Sequence, residues 1–182
     1  MKPLFTVHIG ELVTGGFIER TFRRVNVWVP TKDSGIDLLV TDARNDKTIS
    51  LQVKSSKDFL PTHFPVFFQK PLRASGWWTL NRQKIASSLA EYWVFVLVSF
   101  DRRSTDFVIV PPRELLKRLD AIHGKRKVFQ SYFLITERNR CWETRGLKRS
   151  EELLIAQGLF SNSKRDFTAY LNNWDPVKKL NR

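Results

Sequence analysis

Cysteine and long apolar segments are both scarce in this chain of 182 residues. The single cysteine, Cys141, excludes an internal disulfide framework and predicts a reducing, cytoplasmic environment. The longest apolar run, residues 92–99, is far shorter than the roughly 20 residues that a membrane-spanning helix needs. One lysine and a short mixed stretch precede Glu11, so we expect no signal peptide and no membrane partner.

Glycine and proline are also few, at eight residues each, and no Gly-, Ser- or Pro-rich linker divides the chain. Because 42% of the residues are hydrophobic and 13% are aromatic, the chain can bury one well-packed core. We therefore expect a single domain over residues 1–182. Within it, the core would occupy about residues 1–110, followed by a basic C-terminal extension at about residues 111–182.

Acidic residues are outnumbered by 31 Lys/Arg to 18 Asp/Glu, which gives a formal net charge of +13. Residues 1–60 contribute nine basic against seven acidic residues, whereas residues 61–182 contribute twenty-two against eleven. A surplus of this size favours a polyanionic partner, most commonly nucleic acid. The alternative is a structural or partner-binding protein whose charge is incidental, which salt-sensitive binding to DNA would exclude.

Hydrophobic periodicity predicts an α/β fold with a mixed central β-sheet and helices against both of its faces. Helices are predicted at residues 3–14, 81–92, 113–122, 150–157 and 166–173. Strands are predicted at residues 24–29, 36–41, 48–54, 77–80, 93–100, 106–110 and 128–136, with no assignment at 138–143. Gly15-Gly16 predicts either the end of the first helix or a tight packing point. Residues 55–75 contain three prolines and predict a long loop.

Four polar side chains stand in predicted elements where packing residues are usual. Asp37 opens one strand, and Gln52 and Lys54 close the next strand, with fourteen residues between Asp37 and Gln52. Period two puts Gln52 and Lys54 on one face, and hairpin pairing brings Asp37 close to both. Glu11 lies on a half-apolar stripe of the first helix. Charges in such places cost free energy unless they are paired or bound to metal.

These residue types suit phosphodiester hydrolysis with a hard divalent cation. Mg²⁺ prefers oxygen ligands, which Asp37, the Gln52 amide or the Val53 carbonyl, and Glu11 through water would supply. Lys54 would orient or deprotonate the attacking water, or stabilise the developing charge. The alternative is a cross-strand ion pair between Asp37 and Lys54 in a protein that has no catalytic activity.

The segment resembles the PD-(D/E)xK nuclease superfamily, and within it the Mrr-like branch that has Gln in the third motif. The resemblance rests on Glu11, on Gly35-Ile36-Asp37 and on Gln52-Val53-Lys54. It covers about residues 5–56, with the order of elements to about residue 110, and nothing beyond. It implies a restriction-endonuclease-like fold and Mg²⁺-dependent cleavage of DNA or, less often, RNA. It also implies metal binding at Asp37 and Gln52 and a catalytic role for Lys54.

We therefore predict an endonuclease that hydrolyses phosphodiester bonds in double-stranded or branched DNA with Mg²⁺ or Mn²⁺. Its catalytic set would be Glu11, Asp37, Gln52 and Lys54, with the first three at the metal. Further contacts to nucleic acid are predicted at Ser55, Arg82, Lys84, Lys125, Arg126 and Lys127. A homodimer would let two single-site chains cut both strands. The alternative is a non-catalytic nucleic-acid-binding protein on the same fold, and metal-dependent cleavage separates the two.

The other chemistry-bearing side chains are expected to be structural. The three histidines, His8, His63 and His123, have no second ligand at zinc spacing. Cys141 is expected to be a small buried hydrophobic residue. Four tryptophans are expected in the core more than as base-stacking platforms: Trp77, Trp78, Trp142 and Trp174.

Overall fold

The computed structural model describes residues 9–32, 34–56, 70–99 and 104–180 of the chain. Its helices are α1 (Ile9–Thr21), α2 (Arg82–Ala86), α3 (Pro112–His123), α4 (Arg149–Gln157) and α5 (Asp175–Leu180), with a 3₁₀ turn at Thr168–Tyr170. Its strands are β1 (Val25–Trp28), β2 (Leu38–Asp42), β3 (Thr48–Ser56), β4 (Leu72–Asn81), β5 (Tyr92–Ser99), β6 (Ser104–Val110), β7 (Val128–Thr136) and β8 (Cys141–Glu143).

The strands form two sheets, with the orders β1-β2-β3-β5-β6 and β4-β7-β8. In the larger sheet β3 pairs antiparallel with β2 and parallel with β5, so the central sheet is mixed, as predicted. A parallel pair needs a crossover connection, and β4 and α2 lie in the chain between β3 and β5. The smaller sheet is antiparallel, with β4 paired to β7 along its length. Strand periodicity predicts the strands but not their distribution over two sheets.

Strand β5 is buried on both faces, as its continuous apolar run predicts. Val94 and Val96 belong to a hydrophobic cluster with side chains of α1, β2, β3 and α5. On the opposite face, the ring of Phe95 lies 5.0 Å from the ring of Trp78 on β4 and 5.1 Å from that of Phe133 on β7. Helices α1 and α5 therefore cover one face of the larger sheet. The smaller sheet covers the other face together with α2 and α3, whose Ile85, Leu115 and Leu119 belong to the same cluster as Phe95.

The first helix differs from the prediction of residues 3–14. It runs from Ile9 to Thr21 and continues through both glycines, while residues 1–8 lie outside the described residues. A Cβ at Gly15 would lie 3.5 Å from the Val27 side chain on β1, which is ordinary van der Waals contact. The helix end predicted at the glycine pair is therefore wrong, and the tight approach of α1 to the sheet lies at Gly10 instead, where a Cβ would be 2.7 Å from the Ser55 Cβ.

The helix predicted at residues 81–92 is wrong in length, since α2 ends at Ala86. The Asn81 side chain caps its start by accepting a hydrogen bond from the Lys84 N–H. Glu91 pairs with Ser50 instead of continuing the helix: its N–H donates to the Ser50 carbonyl, and its carboxylate accepts from the Ser50 N–H. This contact brings the chain beside β3, where β5 begins, so tertiary pairing prevails over local helix propensity.

The ends of the predicted loop at residues 55–75 belong to strands. Strand β3 extends to Ser56 and β4 begins at Leu72, so the short strand predicted at residues 77–80 is part of a longer one. Residues 57–69 lie outside the described residues.

The helix predicted at residues 166–173 is also wrong, because that segment contains only the 3₁₀ turn before α5. Asn172 has a φ of 50° and binds β6, where its side chain accepts from the Phe107 N–H and donates to the Asp106 carboxylate. This left-handed residue interrupts a helix and anchors the segment to the sheet. The helices predicted at residues 113–122 and 150–157 are confirmed, and the unassigned segment at 138–143 contains β8.

No helix within the described ranges is long and apolar enough to cross a membrane.

Cys141 is fully buried between β7 and the 3₁₀ turn, and burial raises the pKa of its thiol far above the ordinary range. Since the thiolate is the reactive form, we expect a disulfide-exchange reagent to label almost none of the native protein and to label one thiol per chain in denaturant. Spectrophotometric thiol titration checks this. Rapid labelling of the native protein would contradict the buried position.

Candidate active site

A cleft of about 570 Å³ lies where four segments meet: the start of α1, the turn before β2, the C-terminal half of β3, and α2 with the turn after it. All four residues of the predicted catalytic set line it: Glu11, Asp37, Gln52 and Lys54. Two of the predicted nucleic-acid contacts, Ser55 and Lys84, line it as well. The fold therefore brings together side chains that are as much as 73 positions apart in the chain, from Glu11 to Lys84.

Two hydrogen bonds hold Asp37 beside Gln52. The Asp37 N–H donates to the Leu51 carbonyl at 2.8 Å, and Asp37 Oδ2 accepts from the Val53 N–H at 2.8 Å. Strand β2 begins only at Leu38, so the carboxylate supplies the acceptor for a buried amide that β2 does not reach. Only 7% of Asp37 is exposed. Because a carboxylate oxygen has more than one lone-pair site, this bond leaves Asp37 able to bind a cation.

The side chains of β3 alternate as predicted. Val53 and Ser55 face α1, where a Cβ at Gly10 would lie 3.3 and 2.7 Å from their side chains. Gln52 and Lys54 point to the opposite face, and Lys54 Nζ lies 5.6 Å from the ring centroid of Trp93 on β5. This cation–π contact orients the ammonium group without removing its charge.

Glu11 reaches the cleft from the other side of β3. It lies in the first turn of α1 and is 3% exposed. Its position depends on its neighbour Gly10, because only a residue without a side chain lets α1 approach the Ser55 Cβ so closely. The two carboxylates of the cleft therefore come from different elements, α1 and the segment before β2.

The wall opposite β3 is formed by α2 and the turn that follows. Lys84, Ser87, Ser88 and Leu89 line the cleft there. Lys84 and Ser87 are exposed, and the Ser88 hydroxyl accepts a hydrogen bond from the Trp93 indole at 2.9 Å. The Lys84 ammonium on this wall can donate hydrogen bonds to phosphate oxygens, whereas both hydroxyls already donate to carbonyls, Ser87 to Gln83 at 2.9 Å and Ser88 to Ala90 at 3.4 Å. The sequence missed Ser87 and Ser88 because they fell inside the predicted helix.

Arg82 does not line the cleft, in contrast to Lys84 two residues later. Its guanidinium makes two hydrogen bonds to the carboxylate of Asp120, at 2.9 and 2.8 Å, and so ties α2 to α3. The hydrogen bond from Arg82 holds the pKa of Asp120 below its ordinary value, and the same bond raises the pKa of Arg82. Arg82 therefore positions α2, and any contact with nucleic acid is additional to this role.

The predicted basic cluster of Lys125, Arg126 and Lys127 lies outside the cleft but close to α2. All three residues are exposed in the turn between α3 and β7. The Lys127 carbonyl accepts a hydrogen bond from the Arg82 N–H at 3.0 Å. The cluster therefore lies beside the first turn of α2, whose residue Lys84 lines the cleft.

The side chains of the cleft that could bind a metal ion supply oxygen atoms, the ligand type that hard cations prefer. Within the described ranges, no group of three or more His, Cys, Asp and Glu side chains is placed to hold a metal ion. The cleft offers two carboxylates, Glu11 and Asp37, together with the amide of Gln52. All three supply oxygen, which Mg²⁺ and Mn²⁺ prefer, and Mg²⁺ usually keeps several waters in addition to one or two carboxylates.

Comparison of this chain with protein-family models, curated proteins and solved structures finds no match. The functional inference below rests on the residues of the cleft and their arrangement.

Gly10 and Gly16 of α1 provide a matched pair of substitutions that separates packing at the cleft from helix propensity. In Gly10→Ala the new Cβ would lie 2.7 Å from the Ser55 Cβ, which is held by the strand, so α1 must shift. We expect a loss of about 1–3 kcal/mol in the free energy of unfolding, the usual cost of overpacking. In Gly16→Ala the close atom is the flexible end of Arg20, at 3.1 Å, and better helix propensity makes the change neutral or stabilising.

Urea denaturation of both variants measures this difference. Equal stability of the two would show that α1 does not press on β3 at Gly10.

Proposed function

We propose that this protein is a metal-dependent endonuclease that hydrolyses phosphodiester bonds in DNA. The observation that carries the proposal is the convergence of Glu11, Asp37, Gln52 and Lys54 in one cleft. Two buried carboxylates, an amide and an amine that line one cleft match the needs of phosphodiester hydrolysis. The resemblance to the PD-(D/E)xK superfamily supports the same reaction.

Asp37, Gln52 and Glu11 would hold the cation in this proposal. When bound, a divalent cation supplies Lewis-acid polarisation of the phosphate and a more acidic water. Asp37 is positioned for this by the Val53 N–H, which fixes one of its oxygens. Glu11 approaches from α1, and its distance from β3 is set by Gly10.

Lys54 would act on the attacking water or on the developing charge. It shares a face of β3 with Gln52, and the ring of Trp93 orients its Nζ. An ammonium group donates hydrogen bonds, so Lys54 can align a water or stabilise a phosphate oxygen as negative charge accumulates. Lys84, on the opposite wall, would bind the phosphate that flanks the scissile bond.

The charge of the chain supports DNA as the substrate. A net charge of +13 attracts a polyanion, and exposed basic residues continue from Lys84 to the cluster of Lys125, Arg126 and Lys127 beside α2. Cleavage of both strands by two copies of one site would need a homodimer, which stays a prediction.

One observation favours a second candidate, a non-catalytic nucleic-acid-binding protein with the same basic surface. Gln52 stands where a third carboxylate would complete a stronger metal site, and a neutral amide binds Mg²⁺ more weakly than a carboxylate does. In such a protein, Asp37 and Lys54 would serve stability through an ion pair.

Cleavage of plasmid and branched DNA in Mg²⁺ or Mn²⁺ tests the proposal. We expect cutting by the wild type and a loss of about 10²–10⁴-fold in Lys54→Ala, the usual contribution of a group that transfers or directs a proton. Asp37→Asn should lose at least as much activity, because it removes the charge that binds the cation. Asparagine retains an oxygen that can accept from the Val53 N–H, so the fold should persist.

The opposite end of the same hairpin offers matched controls. Asp46 and Lys47 are exposed in the turn between β2 and β3, and Asp46→Asn and Lys47→Ala remove the same charges there. Both should cut like the wild type. Absence of cutting on every DNA, with binding retained, would favour the non-catalytic protein.

The substitution Gln52→Glu tests the metal role directly. A third carboxylate should increase the affinity for Mn²⁺, measured by calorimetry without DNA, and should lower the Mg²⁺ concentration at which cleavage is half-maximal. Gln157→Glu, an exposed position at the end of α4, is the control for added charge. Unchanged Mn²⁺ affinity in Gln52→Glu would remove position 52 from the metal site.

A further inference from the structure

The outer face of the smaller sheet is divided into two parts. At one end, Leu134 of β7 and Trp142 of β8 pack under α4 in a small hydrophobic cluster that includes Ile155. At the other end, Trp77 of β4 and Tyr132 of β7 are cross-strand neighbours. Trp77 is 37% exposed, so its predicted place in the core is wrong, whereas Trp78, Trp142 and Trp174 are buried as expected.

Trp77, Tyr132 and Arg145 form a group that we name the aromatic face. The rings of Trp77 and Tyr132 lie 6.3 Å apart with an interplanar angle of 34°. The guanidinium of Arg145 lies 5.2 Å from the Tyr132 ring centroid. Two partly exposed rings capped by a guanidinium form the arrangement on which unpaired bases stack in single-strand-binding proteins.

Among the described residues of β4 and β7, the outward positions around the aromatic face carry no negative charge. The other outward residues of β4 and β7 at this end are all uncharged: Thr79, Asn81, Val128 and Gln130. Glu143, on the inner face of β8, is fully buried and paired with Arg165 at 2.6 Å. The exposed basic cluster of Lys125, Arg126 and Lys127 leads directly into β7. The charge of this surface therefore complements a polyanion.

A hydrogen bond joins the aromatic face to the C-terminal end of β3. The Trp77 N–H donates to the hydroxyl of Ser56 at 2.9 Å. Ser56 follows Lys54 by two residues on the same face of β3, a step of roughly 7 Å along a strand. A strand of nucleic acid that stacks on Trp77 can therefore extend to the cleft within a few nucleotides.

We propose that the aromatic face binds an unpaired strand of DNA and that the substrate of the cleft is DNA with a single-stranded segment. Bases in a duplex are stacked inside the helix and cannot reach rings on a flat sheet, so duplex DNA would meet this surface only through its phosphates. The statement about the substrate rests on the proposed nuclease function, whereas the binding of a single strand does not.

Fluorescence anisotropy with labelled oligothymidylate and a blunt duplex, both in EDTA, tests the binding. We expect the wild type to prefer the single strand. Trp77→Ala and Tyr132→Ala should each weaken this binding about 5- to 100-fold, which corresponds to the loss of one stacked base. Trp77→Phe should restore most of it. Trp28→Ala is the control, because Trp28 is 51% exposed on β1 and lies outside the aromatic face.

One further pair of variants keeps the test decisive. If Trp77→Ala does not fold, Arg145→Gln replaces it, with Arg149→Gln as the charge-matched control on α4. Equal oligothymidylate affinity of the paired variants, or a preference for the duplex, would overturn the proposal.

The experiments distinguish an error in this inference from an error in the proposed nuclease function. Binding that depends on Trp77, without cleavage of any DNA, would support the aromatic face as a binding surface and contradict the nuclease function. Equal cleavage of blunt and forked DNA by both wild type and Trp77→Ala would support the nuclease function. It would contradict the proposal that the substrate is DNA with a single-stranded segment. Lys47→Ala, at the exposed turn between β2 and β3, should bind oligothymidylate like the wild type in either case.

Discussion

The hydrogen bond from the Val53 N–H to the Asp37 carboxylate is the contact on which the geometry of the cleft depends. It closes the β2–β3 pairing at the point where β2 no longer provides a backbone acceptor. A buried hydrogen bond to a charged group contributes about 1.5–3 kcal/mol, and an unsatisfied buried amide costs a similar amount. The same contact that stabilises the end of the hairpin therefore fixes an acid next to Gln52. Asp37 therefore has a structural role and, under the proposed function, a role in metal binding. Replacement by Asn keeps an acceptor for the Val53 N–H and removes only the charge, so it separates the two roles better than replacement by Ala.

Strand β3 connects the two halves of the cleft because its successive side chains point to opposite faces. Val53 and Ser55 meet α1, whose close approach at Gly10 brings Glu11 to the end of the strand. Gln52 and Lys54 lie on the opposite face, next to Trp93 and α2. The cleft lies along the C-terminal half of β3, where β2 no longer pairs with it, so groups from both faces of the sheet can converge. Where β2 is paired with β3, the sheet itself would lie between a side chain of α1 and one on the opposite face.

The sequence predicts the contacts that depend on local alternation and turns, but not those that depend on tertiary structure. Alternation along β3 and the turn before it were enough to predict that Asp37, Gln52 and Lys54 come together. The end of α2 was not predictable, because it depends on the pairing of Glu91 with Ser50, 41 residues away. Alternation along β4 puts Trp77 on the polar face opposite Trp78, but how much of that face α4 covers depends on contacts between elements. Period and spacing describe one element at a time, whereas these outcomes depend on contacts between elements.

The charges that line the cleft suggest why a glutamine can serve at position 52. Glu11 and Asp37 contribute two negative charges, and Lys54 and Lys84 contribute two positive charges, so the lining is formally neutral. A third carboxylate would make it negative and would oppose a phosphodiester, which carries one negative charge itself. Under the proposed function, an amide would bind a divalent cation less tightly than a carboxylate, and the phosphate oxygens of the substrate would become a larger share of its ligands. Under the proposed function, cation and DNA would therefore each raise the affinity for the other, because each site contributes ligands or charge that the other needs.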